Sequence, residues 1–123
     1  MAASRGRLLV VDDDRAVRES MQHWLGDHGY EVQTAADGRE ALALLKEGQK
    51  PDAIIIDLMM PVMSGWEFLE SKAMDDGIRS VPVLVLTAFD HDPVALKHVV
   101  GVFRKPVDPA SFIETLDRHL QKR

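Results

Sequence analysis

Three short, uninterrupted aliphatic runs constrain the fold of this chain more than any other feature of its sequence. They cover Leu8–Val11, Ala53–Ile56 and Val83–Leu86. A strand that is apolar at every position, and not only at every second one, is typical of a parallel sheet covered on both faces. Two weaker runs, Val32–Ala35 and Val99–Phe103, complete a set of five predicted strands.

The segments between these runs have the apolar spacing of helices that pack one face against a sheet. Met21 and Leu25 lie one helical turn apart in the first segment, and Asp108 followed by Pro109 is typical of the start of a last helix. A fourth helix, from Asp92 to His98, is predicted to be short. Alternating strands and helices predict a doubly wound α/β domain.

Composition excludes several classes of function. The formal net charge of -5 argues against a nucleic-acid-binding protein, which needs a basic face. The chain has no cysteine, so disulfides and thiolate metal sites are excluded. No apolar run approaches the ~20 residues of a membrane span, and a cytoplasmic location is the expectation. With 123 residues, we expect a single domain over 1–123, with its core at 7–121 and no output domain.

Polar residues follow four of the predicted strands at the point where each strand ends. Asp12 and Asp13 follow the first strand, Asp57 the third, Thr87 the fourth, and Lys105 comes just after the fifth. In a doubly wound sheet the site lies beyond the carboxyl ends of the strands, where the strand order reverses. We therefore expect these side chains to converge at one edge of the sheet.

This set of groups predicts chemistry on a phosphoryl group. Carboxylates held together repel one another, and oxygen ligands without Cys or His favour Mg²⁺ over zinc as the cation that relieves the repulsion. Asp57 needs no general base to act as a nucleophile, because a carboxylate is already ionised. Lys105 and Thr87 offer an ammonium and a hydroxyl to stabilise the charge of a transferring phosphoryl group.

Four ordered motifs resemble the receiver domain of bacterial two-component response regulators. They are Leu9–Asp14, Asp57–Gly65, Leu86–Ala88 and Lys105-Pro106, and the resemblance covers Leu8 to Leu120. It implies a flavodoxin-like (βα)5 fold with a five-stranded parallel sheet in the order 2-1-3-4-5. It also implies a signalling switch that is not a true enzyme, since it catalyses only its own phosphorylation and dephosphorylation.

The resemblance implies a role for each matching residue. Asp57 is the residue that accepts the phosphoryl group, from a histidine kinase or a histidine phosphotransfer protein. Thr87 and Lys105 bind that group, and a cis peptide bond to Pro106 places the lysine. A downstream protein target reads the phosphorylated state, and the receiver itself is expected to be a monomer or a weak dimer.

The resemblance also implies how the metal is held. Asp13, Asp57 and the backbone carbonyl of Met59 match the Mg²⁺ ligands of the family, and Asp12 acts mostly through water. Asp14 is interpreted differently, because an aspartate directly before a helix is typical of an N-cap.

Three other functions share part of this pattern. A phosphatase of the haloacid dehalogenase type needs a second acid two residues after its nucleophile, where this chain has Met59. A nucleotide-binding flavodoxin-like module is disfavoured, because the carboxylates of Asp12–Asp14 repel phosphate. A pseudo-receiver that signals without phosphorylation remains as the alternative within the family.

The sequence departs from the receiver pattern between Thr87 and Lys105, where it is several residues shorter. The switch aromatic, usually three residues before the lysine, is replaced by Val102, and Phe103 follows it. Neighbouring side chains of a strand point to opposite faces, so Phe103 cannot replace the missing ring without a register shift. We expect a truncated or irregular fourth helix and a response to phosphorylation centred on Thr87–His98.

Overall fold

A parallel sheet forms the centre of the protein. The computed structural model describes residues 5–48, 50–58, 60, 62–87, 99–105 and 107–120. The five strands lie in the order β2-β1-β3-β4-β5, and every neighbouring pair is parallel. Their bounds are β1 Gly6–Val11, β2 Tyr30–Ala35, β3 Ala53–Asp57, β4 Val83–Thr87 and β5 Val99–Arg104.

Four helices are present in the described part of the chain, and their bounds are α1 Arg15–Asp27, α2 Gly38–Glu47, α3 Gly65–Ala73 and α4 Pro109–Leu120. Local signals explain where they begin. The side chains of Asp14 and Asp37 accept hydrogen bonds from the first backbone N–H groups of α1 and α2. Ser64 and Glu67 form a capping box at the start of α3. None of the described helices is long and apolar enough to span a membrane.

The sheet separates two hydrophobic cores, because alternate side chains of each strand point to opposite faces. Leu9, Ile54 and Val83 belong to the core that α2 and α3 cover. Leu8, Ile55 and Leu84 belong to the core that α1 and α4 cover. Helices on both faces explain why β1, β3 and β4 are apolar at nearly every position.

Strand β5 departs from this regular pattern. Its pairing with β4 shifts between Val83 and Leu84, so that Val99 pairs with Val83 while Gly101 pairs with Leu84. Beyond this irregularity, the ring of Phe103 packs against Phe112 of α4, with the ring centroids 5.0 Å apart. Val102 points away from that core and is 42% exposed. Phe103 therefore packs on a helix and does not take the position of the missing switch aromatic.

The predicted fold class is confirmed, including the parallel sheet and its strand order. Each predicted strand is present, and β2 begins two residues earlier than predicted, at Tyr30. The last helix begins at Pro109, as the Asp108-Pro109 pair indicates. The predicted fourth helix, Asp92 to His98, lies outside the described residues.

One buried charge has no counterpart in the sequence analysis. The side chain of Lys72, on α3, is among the fully buried side chains of the protein. Its Nζ donates a hydrogen bond to the backbone carbonyl of Arg79 at 2.8 Å. Burial lowers the pKa of Lys72 to about 8, because the charged ammonium loses its hydration. Lys72 thereby ties the end of α3 to the turn that leads into β4.

Candidate functional site

Strand register brings the predicted site residues to one edge of the sheet. Val11 of β1 pairs with Ile56 of β3, so the two following residues, Asp12 and Asp57, emerge side by side. Asp57 pairs in turn with Leu86 of β4, which places Thr87 one residue further along. The backbone N–H of Lys105 donates to the carbonyl of Thr87 at 2.9 Å, which continues the ladder beyond β5.

Lys105 joins the two buried carboxylates. Its Nζ lies 2.8 Å from Oδ2 of Asp57 and 3.1 Å from Oδ2 of Asp12. Burial alone would lower the pKa of Lys105, but the hydrogen bonds to Asp57 and Asp12 outweigh it, so the pKa is raised. Burial raises the pKa of Asp12, and the Asp14 N–H and Lys105 offset only part of that effect. Lys105 therefore stays charged between the two carboxyl groups. Ionisation of the Asp12 carboxyl costs free energy, because that group is buried.

Asp13 completes an acidic cluster with these two residues. Carboxylate oxygens of Asp12, Asp13 and Asp57 all lie within 4.8 Å of one another. Asp12 and Asp57 are buried, whereas Asp13 is exposed. Within the described part of the chain, the side chain of Asp13 has no hydrogen-bond or ion-pair partner. Carboxylates at this spacing, one of them open to water, fit a hard divalent cation such as Mg²⁺.

Hydrogen bonds fix both the backbone and the side chain of Asp12. Its N–H donates to the carbonyl of Ala35 at 3.1 Å, and its Oδ1 accepts from the N–H of Asp14 at 2.9 Å. Its own carbonyl accepts from Nη1 of Arg18 at 2.8 Å. Asp14 also caps α1 through the N–H of Ala16, which confirms its predicted role. Arg18 was missed by the sequence analysis, because an arginine on a helix is usually a solvated charge.

The remaining predicted site residues differ in what the structure shows. Thr87 ends β4 and is 1% exposed, so its hydroxyl belongs to the buried floor of this edge. Met59, whose carbonyl was predicted to bind metal, lies outside the described residues. Pro106, predicted to follow a cis peptide bond, lies outside them as well. The roles of these residues stay predictions.

The loop between β3 and α3 approaches the end of β3 very closely. A Cβ on Gly65 would lie 2.7 Å from the carbonyl oxygen of Asp57, so this position tolerates only glycine. The N–H of Gly65 donates to the carbonyl of Leu58 at 3.0 Å. In the same loop Val62 has a φ of 68°, a left-handed conformation that is strained for a β-branched residue. The loop is therefore closely packed at Gly65 and has a strained backbone at Val62.

An apolar groove opens beside Lys105. Its volume is about 390 Å³, and α1 and the start of α4 form its walls. Val17, Trp24 and Val107 supply apolar surface, and Lys105 also lines the groove. The groove therefore lies next to the lysine whose ammonium contacts Asp57.

The fold and this edge of the sheet define a doubly wound α/β domain with an acid–lysine site at its carboxyl edge. Comparison with known proteins identifies the family. The family described as "Response regulator receiver domain" matches residues 8–117. The chain therefore belongs to the response regulator receiver family, which comprises phosphoacceptor signalling modules.

Relatives support the same family. "Response regulator MprA" of Mycolicibacterium vanbaalenii is 49% identical over 85 residues, which are 68% of this chain and 35% of that protein. The protein of the same name from Mycobacterium avium is 47% identical over 85 residues, 68% of this chain and 36% of the relative. The chain thus spans about a third of the length of these curated relatives.

Solved structures match over almost the whole chain. The chemotaxis protein CheY4 of Vibrio cholerae is 39% identical, with a TM-score of 0.83 over 97% of this chain and 100% of that one. A response regulator receiver protein from Pseudomonas putida is 27% identical, with a TM-score of 0.84 over 95% of this chain and 99% of that one. The described sheet and helices are thus those of receiver domains.

Proposed function

We propose that Asp57 accepts a phosphoryl group from a histidine kinase or a histidine phosphotransfer protein, in a reaction that requires Mg²⁺. The observation that carries this proposal is the position of Lys105. Its ammonium contacts Asp57 and Asp12 at the edge where the acidic cluster meets. A downstream protein then distinguishes the phosphorylated surface from the unphosphorylated one.

Transfer of the phosphoryl group from a phosphohistidine to Asp57 needs no other reactant. An oxygen of the Asp57 carboxylate attacks the phosphorus of a phosphohistidine, and a new O–P bond forms as the P–N bond breaks. The electron pair of the broken bond stays on the imidazole nitrogen, and Asp57 becomes an acyl phosphate. Burial of Asp57, which is 6% exposed, keeps competing water away from the attacking oxygen.

The neighbouring residues of the chain hold the transferred group. The ammonium of Lys105 exchanges its contact with the Asp57 carboxylate for one with a phosphoryl oxygen, and the hydroxyl of Thr87 donates to another. Asp13, Asp57 and the carbonyl of Met59 would hold Mg²⁺, with Asp12 acting through water. When bound, the ion neutralises charge that the carboxylates and the phosphoryl oxygens would otherwise leave uncompensated.

The groove beside Lys105 supports a protein donor over a small metabolite. A phosphohistidine must be carried on a larger surface, and an apolar groove between α1 and α4 offers contact area next to the acceptor. The net charge of -5 disfavours nucleic acid as a partner of this domain. The expected cytoplasmic location and monomeric or weakly dimeric state stay predictions.

Intact-mass measurement with acetyl phosphate tests the proposal. The wild-type protein should gain one phosphoryl group when Mg²⁺ is present and none when it is chelated. Asp57→Asn should gain none in either condition, and Asp13→Asn should need far more Mg²⁺. Asp14→Asn is the matched control, because asparagine caps a helix as well as aspartate does, and it should behave as the wild type.

Three outcomes would count against the proposal. A phosphoryl group on the Asp57→Asn protein would place the acceptor elsewhere. Uptake that is unaffected by chelation would remove the metal from the reaction. Failure of the wild-type protein to accept phosphate from any donor would favour the pseudo-receiver alternative.

A further inference from the structure

Asp13 differs from its two neighbours in how it is held. Asp12 and Asp14 each hydrogen-bond to surrounding residues, whereas the exposed carboxylate of Asp13 has no partner among the described residues. The direction of a free side chain is set by its own backbone. What fixes the backbone on either side of Asp13 therefore decides where its carboxylate points.

Arg18 contacts the backbone on both sides of Asp13. Its side-chain Nη1 donates to the carbonyl of Asp12 at 2.8 Å. Its backbone N–H donates to the carbonyl of Asp14 at 3.0 Å. The peptide unit is planar, so the Asp12 carbonyl lies in one plane with the nitrogen and Cα of Asp13. Holding that carbonyl consequently holds Asp13 itself.

We propose that Arg18 is a positioning residue, which directs Asp13 towards Asp12 and Asp57 before any cation binds. This inference deepens the proposed function and rests on it where Mg²⁺ is concerned. Arg18 touches neither the reacting carboxylate nor the position of the phosphoryl group in the contacts described. It acts through the Asp12–Asp13 peptide.

The positive charge of Arg18 does not itself favour the binding of a cation. A guanidinium close to a cation site repels the cation, so loss of its charge alone would tighten Mg²⁺ binding. Loss of the hydrogen bond would weaken binding, because Asp13 would have to be ordered when the ion arrives. The two effects have opposite signs, so the direction of the measured change separates them.

Arginine suits this position better than lysine. The guanidinium is planar and rigid, whereas the ammonium of lysine is a point charge on a flexible stem. Arg18 is partly buried along its contact with the Asp12 carbonyl. Lysine would keep the charge and lose most of the fixed geometry.

The experiment compares Arg18→Met and Arg18→Lys with Arg15→Met. Arg15 lies on the same helix and carries the same charge, but its partner is the exposed Glu19. Amide hydrogen exchange is measured in the metal-free protein at Asp14, whose N–H is bonded to Asp12, and at buried Ile55 as a reference for the whole fold. Calorimetric titration with Mg²⁺ then gives the affinity.

For Arg18→Met we expect exchange at Asp14 to accelerate while Ile55 is unchanged. Mg²⁺ should bind about three- to tenfold more weakly, because the relief of repulsion offsets part of the loss of one charged hydrogen bond. Arg18→Lys should recover only part of either effect, and Arg15→Met should show neither.

Unchanged exchange at Asp14, equal acceleration at Ile55, or tighter Mg²⁺ binding in Arg18→Met would overturn the inference. Full recovery by lysine would overturn it as well, because the fixed geometry of the guanidinium would then not be needed. If the wild-type protein does not bind Mg²⁺, the proposed function fails, and the exchange at Asp14 still decides whether Arg18 positions Asp13.

Discussion

Strands β3 and β5 each deliver a charged group to the same site, and they do so from different surroundings. All five residues of β3 are buried, and the strand lies between β1 and β4. Strand β5 lies at the edge of the sheet, is irregularly paired, and has no fully buried residue. Asp57 thus stands on a strand that is buried throughout, and Lys105 follows a strand that has no fully buried residue.

The difference suits the roles that we propose for Asp57 and Lys105. The side chain of Asp57 is 8% exposed and that of Lys105 is 28% exposed. A nucleophile must stay in one place for a donor to reach it. The lysine must leave one partner for another when a phosphoryl group arrives, and a looser edge strand permits that movement at low cost. Five predictions test this contrast between the two sides of the site.

The largest effect is expected in the centre of β3. Ile55 is fully buried, so Ile55→Ala should lower the free energy of unfolding by about 2–5 kcal/mol through lost burial and an unfilled cavity. Urea denaturation measures this change. A loss no larger than that of an exposed substitution would contradict the view that β3 is the rigid side of the site.

Removal of the ammonium at the end of β5 should have the next largest effect. In metal-free protein near neutral pH, Lys105→Met should cost about 1–3 kcal/mol, because two buried acids lose their shared partner. Lys50→Met, at an exposed lysine, is the matched control and should be nearly neutral. Added Mg²⁺ should reduce the deficit of Lys105→Met by supplying the missing charge.

The pH dependence of that deficit follows from the two pKa shifts. The pKa of Lys105 is raised above 10.5, so its stabilising contribution is complete below 10.5 and is lost as the pH rises through the folded value. The pKa of Asp12 is raised above 3.8, so its protonation stabilises the fold fully below 3.8, and this contribution is lost as the pH rises through the folded value. Denaturation at several pH values should show the largest deficit between these limits; a constant deficit would contradict the pairing.

A smaller effect, of opposite sign, is expected in the loop after β3. Val62→Asn should raise the free energy of unfolding by about 1 kcal/mol, because asparagine adopts the left-handed conformation at φ 68° more readily than valine. The same change at Val102, a position on β5, should lower stability, since asparagine is a poor strand former. Equal shifts at the two positions would show that the φ of Val62 stores no strain.

The smallest effect is expected at Val102. Because its side chain is 42% exposed and points away from the core around Phe112, Val102→Ala should change stability by less than about 0.5 kcal/mol. It should also leave unchanged the backbone amide shifts that beryllofluoride produces. Large changes at Val102 on addition of beryllofluoride would show that this valine serves as the switch residue after all.

Most of the fold follows from the sequence because burial on both faces leaves a simple pattern. Leu8–Val11 and Ala53–Ile56 are apolar throughout, and such strands have few alternatives. The site residues Asp12 and Asp57 were predicted together because both end such strands. Their separation depends on the strand order, which the resemblance to receivers supplied and the apolar pattern alone does not determine.

Three features escaped prediction for physical reasons. The irregular pairing near Val99 depends on contacts with β4, which local sequence does not encode. Arg18 and Lys72 are long charged residues on helices, where exposure is the ordinary expectation. A signal did exist for Lys72, since it lies one turn after the buried Phe68 and shares its face. A similar signal distinguishes Arg18 from Arg15, since Arg18 lies three residues before the buried Met21 and shares its face of α1.

The contact between Asp12 and Lys105 has a consequence for protein synthesis. The two residues are 93 positions apart in the chain and 3.1 Å apart in space. Until residue 105 has left the ribosome, the growing chain contains both acids of β1 and β3 without the cation that joins them. Strand β5 is also the last of the five to emerge, so the sheet edge is unfinished until then. Under the proposed function, a nascent chain therefore lacks the lysine that binds the phosphoryl group, and only a completed domain can respond to a donor.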